Sequence, residues 1–328
     1  MKRLCFLVIC MSIIMGCSTS TSSTKALVDY VDPNIGTAHC RWFFYTPAAI
    51  PFGMAKLAPS TDAHLGNPGG WQAVGYDFRH TSIEGFANFH EFQVGGVVFA
   101  PTVGELQTVP GELENPDGGY RSRFDKKDEV AAPGYYSVLL KDYGVKAELT
   151  AMKRVGFHRY TYPKTELANL IFDIGNKQGE SGEVKDAEVQ YFEDGRVEGY
   201  VITSPVYVNI YQKGADVRMY FSAVLNKKPV QVGTFVKDVV NPGKHQEKGP
   251  GAGLYMTFST EEQEAVEVKV GLSYTSIENA RFNRETEAAD VTFDQAKKNA
   301  TDVWNESLSR IYVEGGKETC LLYTSPSP

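Results

Sequence analysis

Short apolar runs that follow one another from about Leu27 to Thr286 constrain the fold of this chain most. Apolar and polar residues that alternate with a period of two indicate strands with one buried face, because successive side chains of a strand point to opposite faces. Such runs, bounded by Gly, Pro, Asp or Asn, occupy residues 97–100, 135–140, 169–173, 206–211, 217–221 and 266–270. Asp194-Gly195 lies between two further runs and is typical of a hairpin turn. So many strands without helices between them predict a mainly β chain with a large antiparallel β-sandwich over residues 27–288.

Two further segments complete the predicted sandwich region and its exit. Residues 241–253 are polar and Gly-rich, and they predict a long loop. Thr292 and Gln295 have the spacing of a capping box. Apolar residues then recur at helical spacing, at Phe293, Ala296, Ala300, Val303, Trp304, Leu308 and Ile311. The sequence therefore predicts a linker helix over residues 289–313 that leads from the sandwich toward another domain.

The charge balance limits the partners of the chain. The sequence has 33 basic and 40 acidic residues, a net charge of −7. Nucleic acid is not an expected partner, because binding to its phosphates requires clustered Lys and Arg. The 18 Tyr and 18 Phe suit both β packing and contact with carbohydrate.

The first 26 residues are predicted to lie outside the fold. Residues 4–15 form an apolar run that is too short to span a bilayer, and with Lys2 and Arg3 before it the run indicates a signal peptide over residues 1–16. Residues 14–17 resemble a bacterial lipobox, which predicts lipidation of Cys17 and a flexible Ser/Thr tether over residues 17–26. An ordinary secretory signal that contains cysteines is the alternative. The lipobox interpretation places the protein in a bacterial cell envelope, anchored to a membrane.

The remaining cysteines and the last residues complete this picture. Cys40 and Cys320 are the cysteines left after the anchor, so no disulfide framework is expected.

Residues 314–328 share no pattern with the rest of the chain, and we interpret them as a truncated or artefactual tail. The natural chain is then expected to continue past about Thr319, and a genuine short C-terminus is the alternative.

A series of motifs resembles glycoside hydrolase family 92, a family of calcium-dependent, inverting exo-α-mannosidases from bacteria. The motifs keep their order from about Val28 to Asn283, at residues 30–37, 47–54, 57–60, 70–71, 75–76, 83–86, 89–90, 133–138, 148–151 and 270–277. The resemblance implies an N-terminal sandwich like that of galactose mutarotases, a helical linker and an (α/α) barrel. In the family the barrel holds the calcium, the general acid and the general base. An inverting mechanism places those two carboxyl groups roughly 6.5–9.5 Å apart.

The resemblance also sets what is expected of this chain. Because the barrel is missing from it, we expect no catalytic residue and no metal site here, and we expect calcium only in the missing domain. The expected partners are mannose-containing glycans and the C-terminal barrel of the same protein. We expect the fragment to be inactive alone, as the part of the α-mannosidase that contributes to the substrate site.

Three adjacent residues are the first candidates for contact with a sugar. His39, Cys40 and Arg41 lie between Gly36 and Pro47, on a loop where functional side chains commonly lie. Arg41 offers a fixed fork of hydrogen-bond donors. Many family members have a Gly-rich turn here, so the bulky residues 39–45 put a simple α-1,2 specificity in doubt. Alternatively, the aromatic residues 42–44 plug the edge of the sandwich and Arg41 is solvated.

Four more residues complete the predicted substrate site. Trp71 follows a turn signal and matches an aromatic substrate contact of the family, although packing against the barrel is the alternative. Tyr76 lies on the same short segment. His90 and Glu91 interrupt an aromatic run, and the family has a histidine at the match to His90. A hydrogen-bonded histidine at the domain interface is the alternative for His90.

Two other function classes stay open. One is a non-catalytic surface lipoprotein that binds carbohydrate, and the other is a mutarotase-like epimerase with its own acid and base. The predicted helix over residues 289–313 favours the mannosidase, because its apolar face suits a linker between domains.

Overall fold

A computed structural model of the 328-residue chain describes residues 25–38, 45–62, 75–91, 94–176 and 181–311. In chain order, the strands are β1 (Ala58–Ser60), β2 (Ser82–Ile83), β3 (Gly85–Glu91), β4 (Val94–Val103), β5 (Ser122–Arg123), β6 (Val130–Ala132), β7 (Tyr135–Leu140), β8 (Val145–Ala151), β9 (Val155–Tyr162), β10 (Thr165–Asp173), β11 (Glu183–Tyr191), β12 (Val197–Ser204), β13 (Val217–Leu225), β14 (Gln231–Val236), β15 (Val239–Pro242), β16 (Gln246–Lys248), β17 (Ala252–Thr260) and β18 (Glu264–Ser273). The α-helices are α1 (Val206–Tyr211), α2 (Ile277–Ala288) and α3 (Phe293–Leu308). Short 3-10 turns occupy Leu27–Tyr30, Pro116–Gly118 and Lys126–Asp128.

The described strands form two large antiparallel sheets and one short pair. A seven-stranded sheet has the order β1-β3-β4-β10-β17-β14-β15, and a nine-stranded sheet has the order β16-β11-β12-β13-β18-β9-β8-β7-β6. Strands β2 and β5 pair with each other. The predicted antiparallel sandwich is confirmed.

The core lies between the two large sheets, and aromatic rings fill its centre. Phe99 of β4 packs against Phe172 of β10, with ring centroids 4.3 Å apart, and faces Phe221 of β13 across the sandwich. Complete burial of such rings from both sheets is the main source of stability in a sandwich of this kind.

A buried polar group is built into this core. His158 of β9 is fully buried, and its Nε2 lies 2.8 Å from Asn88 Oδ1 while its Nδ1 lies 2.8 Å from the Tyr160 hydroxyl. Asn88 Nδ2 donates to the Val97 carbonyl, so Asn88 Oδ1 is the acceptor and His158 Nε2 carries the proton. Burial lowers the pKa of His158 to about 3, which keeps the ring neutral.

Helix α3 packs on the outer face of the nine-stranded sheet. Its capping box is present, since Thr292 and Gln295 exchange side-chain and backbone hydrogen bonds. Phe293 and Ala296 pack against buried residues of β7 and β9. Further along, Trp304 Nε1 donates to the Ala49 carbonyl at 2.7 Å. The predicted amphipathic helix is therefore present and docked on the sandwich.

Two local predictions were wrong. Residues 206–211, predicted as a strand, form α1, and residues 241–253, predicted as a loop, contain β15, β16 and the start of β17. In α1, Asn209 Nδ2 donates to the Ser204 hydroxyl and to the carbonyls of Pro205 and Ala215, which closes a local turn. The strands β15 and β16 lie at sheet edges, where polar residues are normal.

Helix α2 was not predicted. With α1, it shows that residues 27–288 contain helices as well as strands. It packs on β18, where Gly271 leaves room for the helix backbone: a Cβ at Gly271 would lie 2.1 Å from the Ala280 carbonyl oxygen. Among the described residues, no helix has the length and apolar character needed to span a membrane.

The two ends of the sandwich differ in what they carry. The turn between β8 and β9 lies at one end, with the end of β18, because Gly271 pairs with Val155. We call this the Arg154 end, after the arginine in that turn. The start of β3 lies at the other end, where Ser60 pairs with Gly85. We call this the Arg121 end, after the buried arginine found there.

Candidate functional site

Strand β3 runs between the described residues that flank the two predicted sugar-contacting segments. His90 lies near its C-terminal end and Gly85 begins it, so the two residues are about 17 Å apart along an extended strand. The Asn88 side chain meets His158 of β9, and Phe89 lies 5.0 Å from Tyr274, which directly follows β18. The His90 end of β3 therefore belongs to the Arg154 end of the sandwich.

At the Arg154 end, His90 is held in place by Tyr45. The two rings stack with centroids 4.7 Å apart and planes at 19°. The Tyr45 hydroxyl donates to the His90 carbonyl at 2.7 Å. His90 is 4% exposed. This contact fixes Tyr45, the residue that follows segment 39–44. That segment contains the first three candidates, His39, Cys40 and Arg41.

At the Arg121 end, backbone hydrogen bonds close the chain around segment 63–74. The amide nitrogens of Thr61 and Asp62 lie 2.7 Å and 3.2 Å from the Gly75 carbonyl oxygen. The Thr61 hydroxyl also donates to Gly75, accepts from the Asp77 amide and lies 2.8 Å from His80 Nδ1. Both ends of the segment that contains Trp71 are therefore held together.

A buried ion pair supports this closure from below. Arg121 Nη2 lies 3.1 Å from Glu84 Oε2, and both side chains are buried. Arg121 Nη1 also donates to the Thr61 carbonyl, and Ser60 donates to the other Glu84 oxygen at 2.9 Å. Sequence reasoning missed Arg121, although residues 83–86 were among the family motifs. No local sequence pattern indicated Arg121, whose neighbours are Tyr120 and Ser122.

Tyr76 is fully buried, and its hydroxyl belongs to a second polar network. It donates to Glu129 Oε1 at 2.8 Å and accepts from Lys126 Nζ at 3.0 Å. Tyr136 donates to the same Glu129 oxygen at 2.7 Å. Burial, together with Glu129, raises the pKa of Tyr76, so the hydroxyl stays protonated. The geometry gives Tyr76 a structural role in this chain, and its contact with a sugar stays a prediction.

At the Arg121 end, the exposed Arg79 pairs with the buried carboxylate of Asp77. Arg79 donates to both carboxylate oxygens of Asp77, at 2.9 Å and 2.6 Å. Burial opposes ionisation of Asp77, but these hydrogen bonds outweigh it and lower its pKa to about 2. The Arg79 guanidinium is largely exposed, so the surface side of this pair is a positively charged group that Asp77 holds in place.

The other predicted residues lie outside the described part of the chain. His39, Cys40 and Arg41 belong to segment 39–44, Trp71 to segment 63–74 and Cys17 to residues 1–24. Glu91 is the last residue of β3, and its backbone alone is described. The anchors of segments 39–44 and 63–74 thus lie at both ends of β3. Phe78 connects them, because its amide lies 3.2 Å from the carbonyl oxygen of Thr37, just before segment 39–44.

The buried carboxylates of the described residues are engaged with donors. Glu84 pairs with Arg121, Glu129 with Lys126, and Glu198 with Arg281. Others accept from hydroxyl groups: Asp173 from Tyr120, Glu148 from Tyr135 and Glu247 from Thr234. No group of three or more His, Cys, Asp or Glu in the described residues has the arrangement to hold a metal ion.

Comparison with known proteins identifies relatives of this chain. The matching family model is the Glycosyl hydrolase family 92 N-terminal domain, over residues 30–273. The solved structure of a family GH92 alpha-mannosidase from Bacteroides thetaiotaomicron superposes with a TM-score of 0.82 at 29% identity, over 91% of this chain and 40% of that one. Its complex with mannoimidazole gives 0.78 at 29% identity, over 87% and 37%.

A further structure supports the fold alone. The family GH92 inverting mannosidase from Bacteroides thetaiotaomicron VPI-5482 gives a TM-score of 0.74 at 22% identity, over 92% of this chain and 39% of that one. The chain thus spans about two fifths of the length of these relatives. No curated protein matches it.

Proposed function

We propose a substrate-contacting role for this chain from the premise that it belongs to glycoside hydrolase family 92, as the N-terminal domain of that family. In the parent enzyme, the sandwich holds loops against α-mannosides such as N-glycans or mannans. A neighbouring domain supplies the general acid and the general base of an inverting hydrolysis. The observation that carries this proposal is the superposition of 91% of this chain on 40% of an α-mannosidase.

The state of the buried carboxylates supports a division of labour between two domains. A general acid needs a carboxyl group that keeps its proton, and a general base needs a carboxylate that accepts one from water. In the described residues, Glu84, Glu129 and Glu198 are instead committed to cationic partners. These three carboxylates are therefore poorly suited to act as general acid or general base, which favours an acid and a base from another domain. A mutarotase-like epimerase would need an acid and a base other than these three carboxylates.

The anchoring of the predicted loops supports a role in substrate contact. Tyr45, which follows segment 39–44, is held by His90, and Thr61 and Gly75, which flank segment 63–74, are hydrogen-bonded to each other. Fixed flanking residues reduce the conformational entropy that a connecting segment loses when it binds a ligand. Arg41 and Trp71 then supply the directional donors and the aromatic face that a pyranose ring requires.

Comparison of two forms of the protein tests this proposal. We expect no hydrolysis of 4-nitrophenyl α-mannoside by the purified 328-residue chain, and hydrolysis by the product of the complete reading frame. The first product of the complete enzyme should be β-mannose, detected by proton NMR before mutarotation. Turnover by the 328-residue chain alone would contradict the proposal. A reading frame that stops at residue 328 would favour the alternative of a carbohydrate-binding lipoprotein.

Calcium in this proposal belongs to the neighbouring domain. Calcium takes six to eight oxygen ligands. The described residues do not fit such a site, because no three or more of their His, Cys, Asp or Glu side chains are grouped to hold a metal ion. We expect EDTA to inactivate the complete enzyme and to leave the melting temperature of the 328-residue chain unchanged.

A lipid anchor at Cys17 is part of the same proposal. The lipobox-like residues 14–17 support it, and so does the Ser/Thr-rich stretch that follows them. The enzyme would then act in the bacterial cell envelope, where its glycan substrates arrive from outside the cell.

A further inference from the structure

The turn at Pro51 and Phe52 combines two features that are each unfavourable for the isolated chain. Phe52 has a φ of +59°, in the left-handed region, and the Gly53 amide lies 3.0 Å from the Ile50 carbonyl oxygen. Pro51 precedes Phe52, as is common in a type II turn, where the position of Phe52 favours Gly or Asn. The Phe52 side chain is 96% exposed. A glycine here would remove the backbone strain and the exposed apolar surface together.

The other strained residues of the described chain expose no apolar ring. Besides Phe52, the non-glycine residues with positive φ are Val97, Lys237 and Gln263. Val97 is buried in the core. Lys237 and Gln263 are polar residues of hairpin turns, between β14 and β15 and between β17 and β18. Of these four described residues, Phe52 alone presents an apolar ring to solvent.

The turn is held rigidly at the Arg154 end of the sandwich. The amides of Met54 and Ala55 lie 2.7 Å and 3.2 Å from the Lys153 carbonyl oxygen, in the turn between β8 and β9. The Ala48 amide pairs with the Leu57 carbonyl at the base of the same hairpin. The exposed Phe52 ring therefore lies on a turn that backbone hydrogen bonds hold in place.

Other exposed apolar residues lie at the same end. Ile210 and Tyr211 of α1 are 69% and 74% exposed, and α1 directly follows the end of β12. Tyr274 follows the end of β18. The register of β12, β13 and β18 brings these strand ends together, since Thr203 pairs with Val217 and Tyr220 with Ser273. We call Phe52, Ile210, Tyr211 and Tyr274 the end surface.

The path of α3 indicates what covers the end surface. A Cβ at Gly134 would lie 2.6 Å from Ala300 Cβ and 3.4 Å from Trp304 Cδ1, so the second half of α3 passes over the turn before β7. Tyr135, the next residue, pairs with Thr150, near the end of β8. Trp304 then reaches Ala49, three residues before Phe52. The last turn of α3 therefore lies near the Phe52 part of the end surface.

We propose that the end surface, with the Phe52 ring at its most exposed point, is the docking surface for the polypeptide that follows Ile311 in the complete protein. This inference rests on the proposed function, in which a second domain follows the sandwich. The length of the relatives supports such an occupant, because this chain covers 40% of the α-mannosidase it superposes on. A sugar and a second copy of this chain are the competing occupants.

Replacement of Phe52 by Gly in two forms of the protein tests the proposal. In the 328-residue chain, F52G should raise the melting temperature by about 2–4 °C, because it removes left-handed strain. In the product of the complete reading frame, the same substitution should lower the melting temperature by several degrees, because docking is lost. A rise in the melting temperature of the 328-residue chain together with a fall in that of the complete protein would support the docking proposal.

Gln263→Gly is the matched control. It relieves the same type of strain at the other end of the sandwich, where Glu264 pairs with Tyr162. We expect Q263G to raise the melting temperature of both forms by a similar amount. If F52G behaves like Q263G in both forms, the docking proposal is overturned.

Three further outcomes would also overturn it. Unchanged melting of the complete enzyme with a raised KM for α-mannosides would assign Phe52 to the sugar. A concentration-dependent dimer of the 328-residue chain, lost in F52G by sedimentation equilibrium, would assign the surface to a second copy. A reading frame that stops before residue 328 would remove the proposed occupant. Because melting is the readout, an inactive enzyme would defeat the proposed function without deciding the docking.

Discussion

Arg121 Nη2 lies 3.1 Å from Glu84 Oε2, and both side chains are buried beneath the backbone closure that holds segment 63–74. Arg121 also donates to the Thr61 carbonyl, so the ion pair and the closure form one unit. The described residues that flank the segment containing Trp71 are thus supported by a buried ion pair.

Removal of one partner of this pair should destabilise the fold strongly. We predict that Arg121→Met lowers the free energy of unfolding by about 3–5 kcal/mol, because Glu84 is left buried without a cation. Urea unfolding followed by circular dichroism measures the change. Arg123→Met is the control, since Arg123 pairs with Asp117 and Asp142 at the surface and its loss should be much smaller. Equal losses in the two variants would contradict this role of Arg121.

The buried His158 should make stability depend on pH. The folded-state pKa is about 3, below the ordinary value of 6.5, so between these values the unfolded chain binds a proton that the folded chain does not. The contribution of His158 is fully present above pH 6.5, and it falls by up to about 1.4 kcal/mol per pH unit as the pH drops toward 3. Urea unfolding between pH 7.5 and 4.5 measures this slope.

His158→Gln isolates that contribution from the other titrating groups. A glutamine amide retains a donor for Asn88 and an acceptor for Tyr160, but it does not titrate. The unfolding free energy of the natural chain minus that of H158Q should therefore decrease as the pH falls below 6.5, because only the natural chain loses the contribution of His158. A difference that is constant with pH would refute the prediction.

Docking of α3 should depend on the absence of a side chain at Gly134. The φ of Gly134 is +80°, and a Cβ there would lie 2.6 Å from Ala300 Cβ. Gly195→Ala is the matched control, because its φ is +91° with no atom within 4 Å of the added Cβ. We predict a loss of about 1–2 kcal/mol for G195A from strain alone. Urea unfolding should show a clearly larger loss for G134A, and equal losses would contradict close packing of α3.

Trp71 should affect activity more than stability in the complete enzyme. We predict that Trp71→Ala lowers kcat/KM for α-mannosides by more than tenfold, which corresponds to about 1.4 kcal/mol or more of lost transition-state binding. The melting temperature should change little. A proportionate loss of both would instead assign Trp71 to packing between domains.

Cys17 should determine where the protein fractionates in the cell. We predict that Cys17→Ala shifts the protein from the membrane pellet to the soluble envelope fraction, because the lipidated residue is lost. Cys40→Ala, a substitution of a cysteine outside the lipobox, should leave the fractionation unchanged. Retention of C17A in the pellet would refute lipidation at this site.

The sequence predicted the sandwich well because period-two alternation follows directly from the geometry of a half-buried strand. The same rule failed at residues 206–211, where β-branched and aromatic residues alternate but form α1. There, the hydrogen bonds of Asn209 to Ser204, Pro205 and Ala215 stabilise a local helical turn that strand propensity does not report. Helix α2 was missed because its buried face includes the polar residues Asn283 and Arg284, which disguise the helical period.

The candidate site was less accessible to sequence reasoning than the fold. The burial of Tyr76 and its hydrogen bond to Glu129 could not be read from the sequence, and its predicted contact with a sugar stays a prediction. Arg121 and Glu84 lie 37 residues apart, so no local pattern could reveal their pairing. The left-handed backbone conformation of Phe52 and the exposure of its ring were visible only in the structure.

The most direct test is a crystal structure of the complete enzyme with mannoimidazole, the ligand present in the complex of the related α-mannosidase. We predict that the ligand contacts side chains from segments 39–44 or 63–74 of this chain, and that both carboxyl groups flanking its anomeric carbon come from residues after Ile311. A ligand that touches the second domain alone, or an acid and base that both belong to this sandwich, would contradict the account.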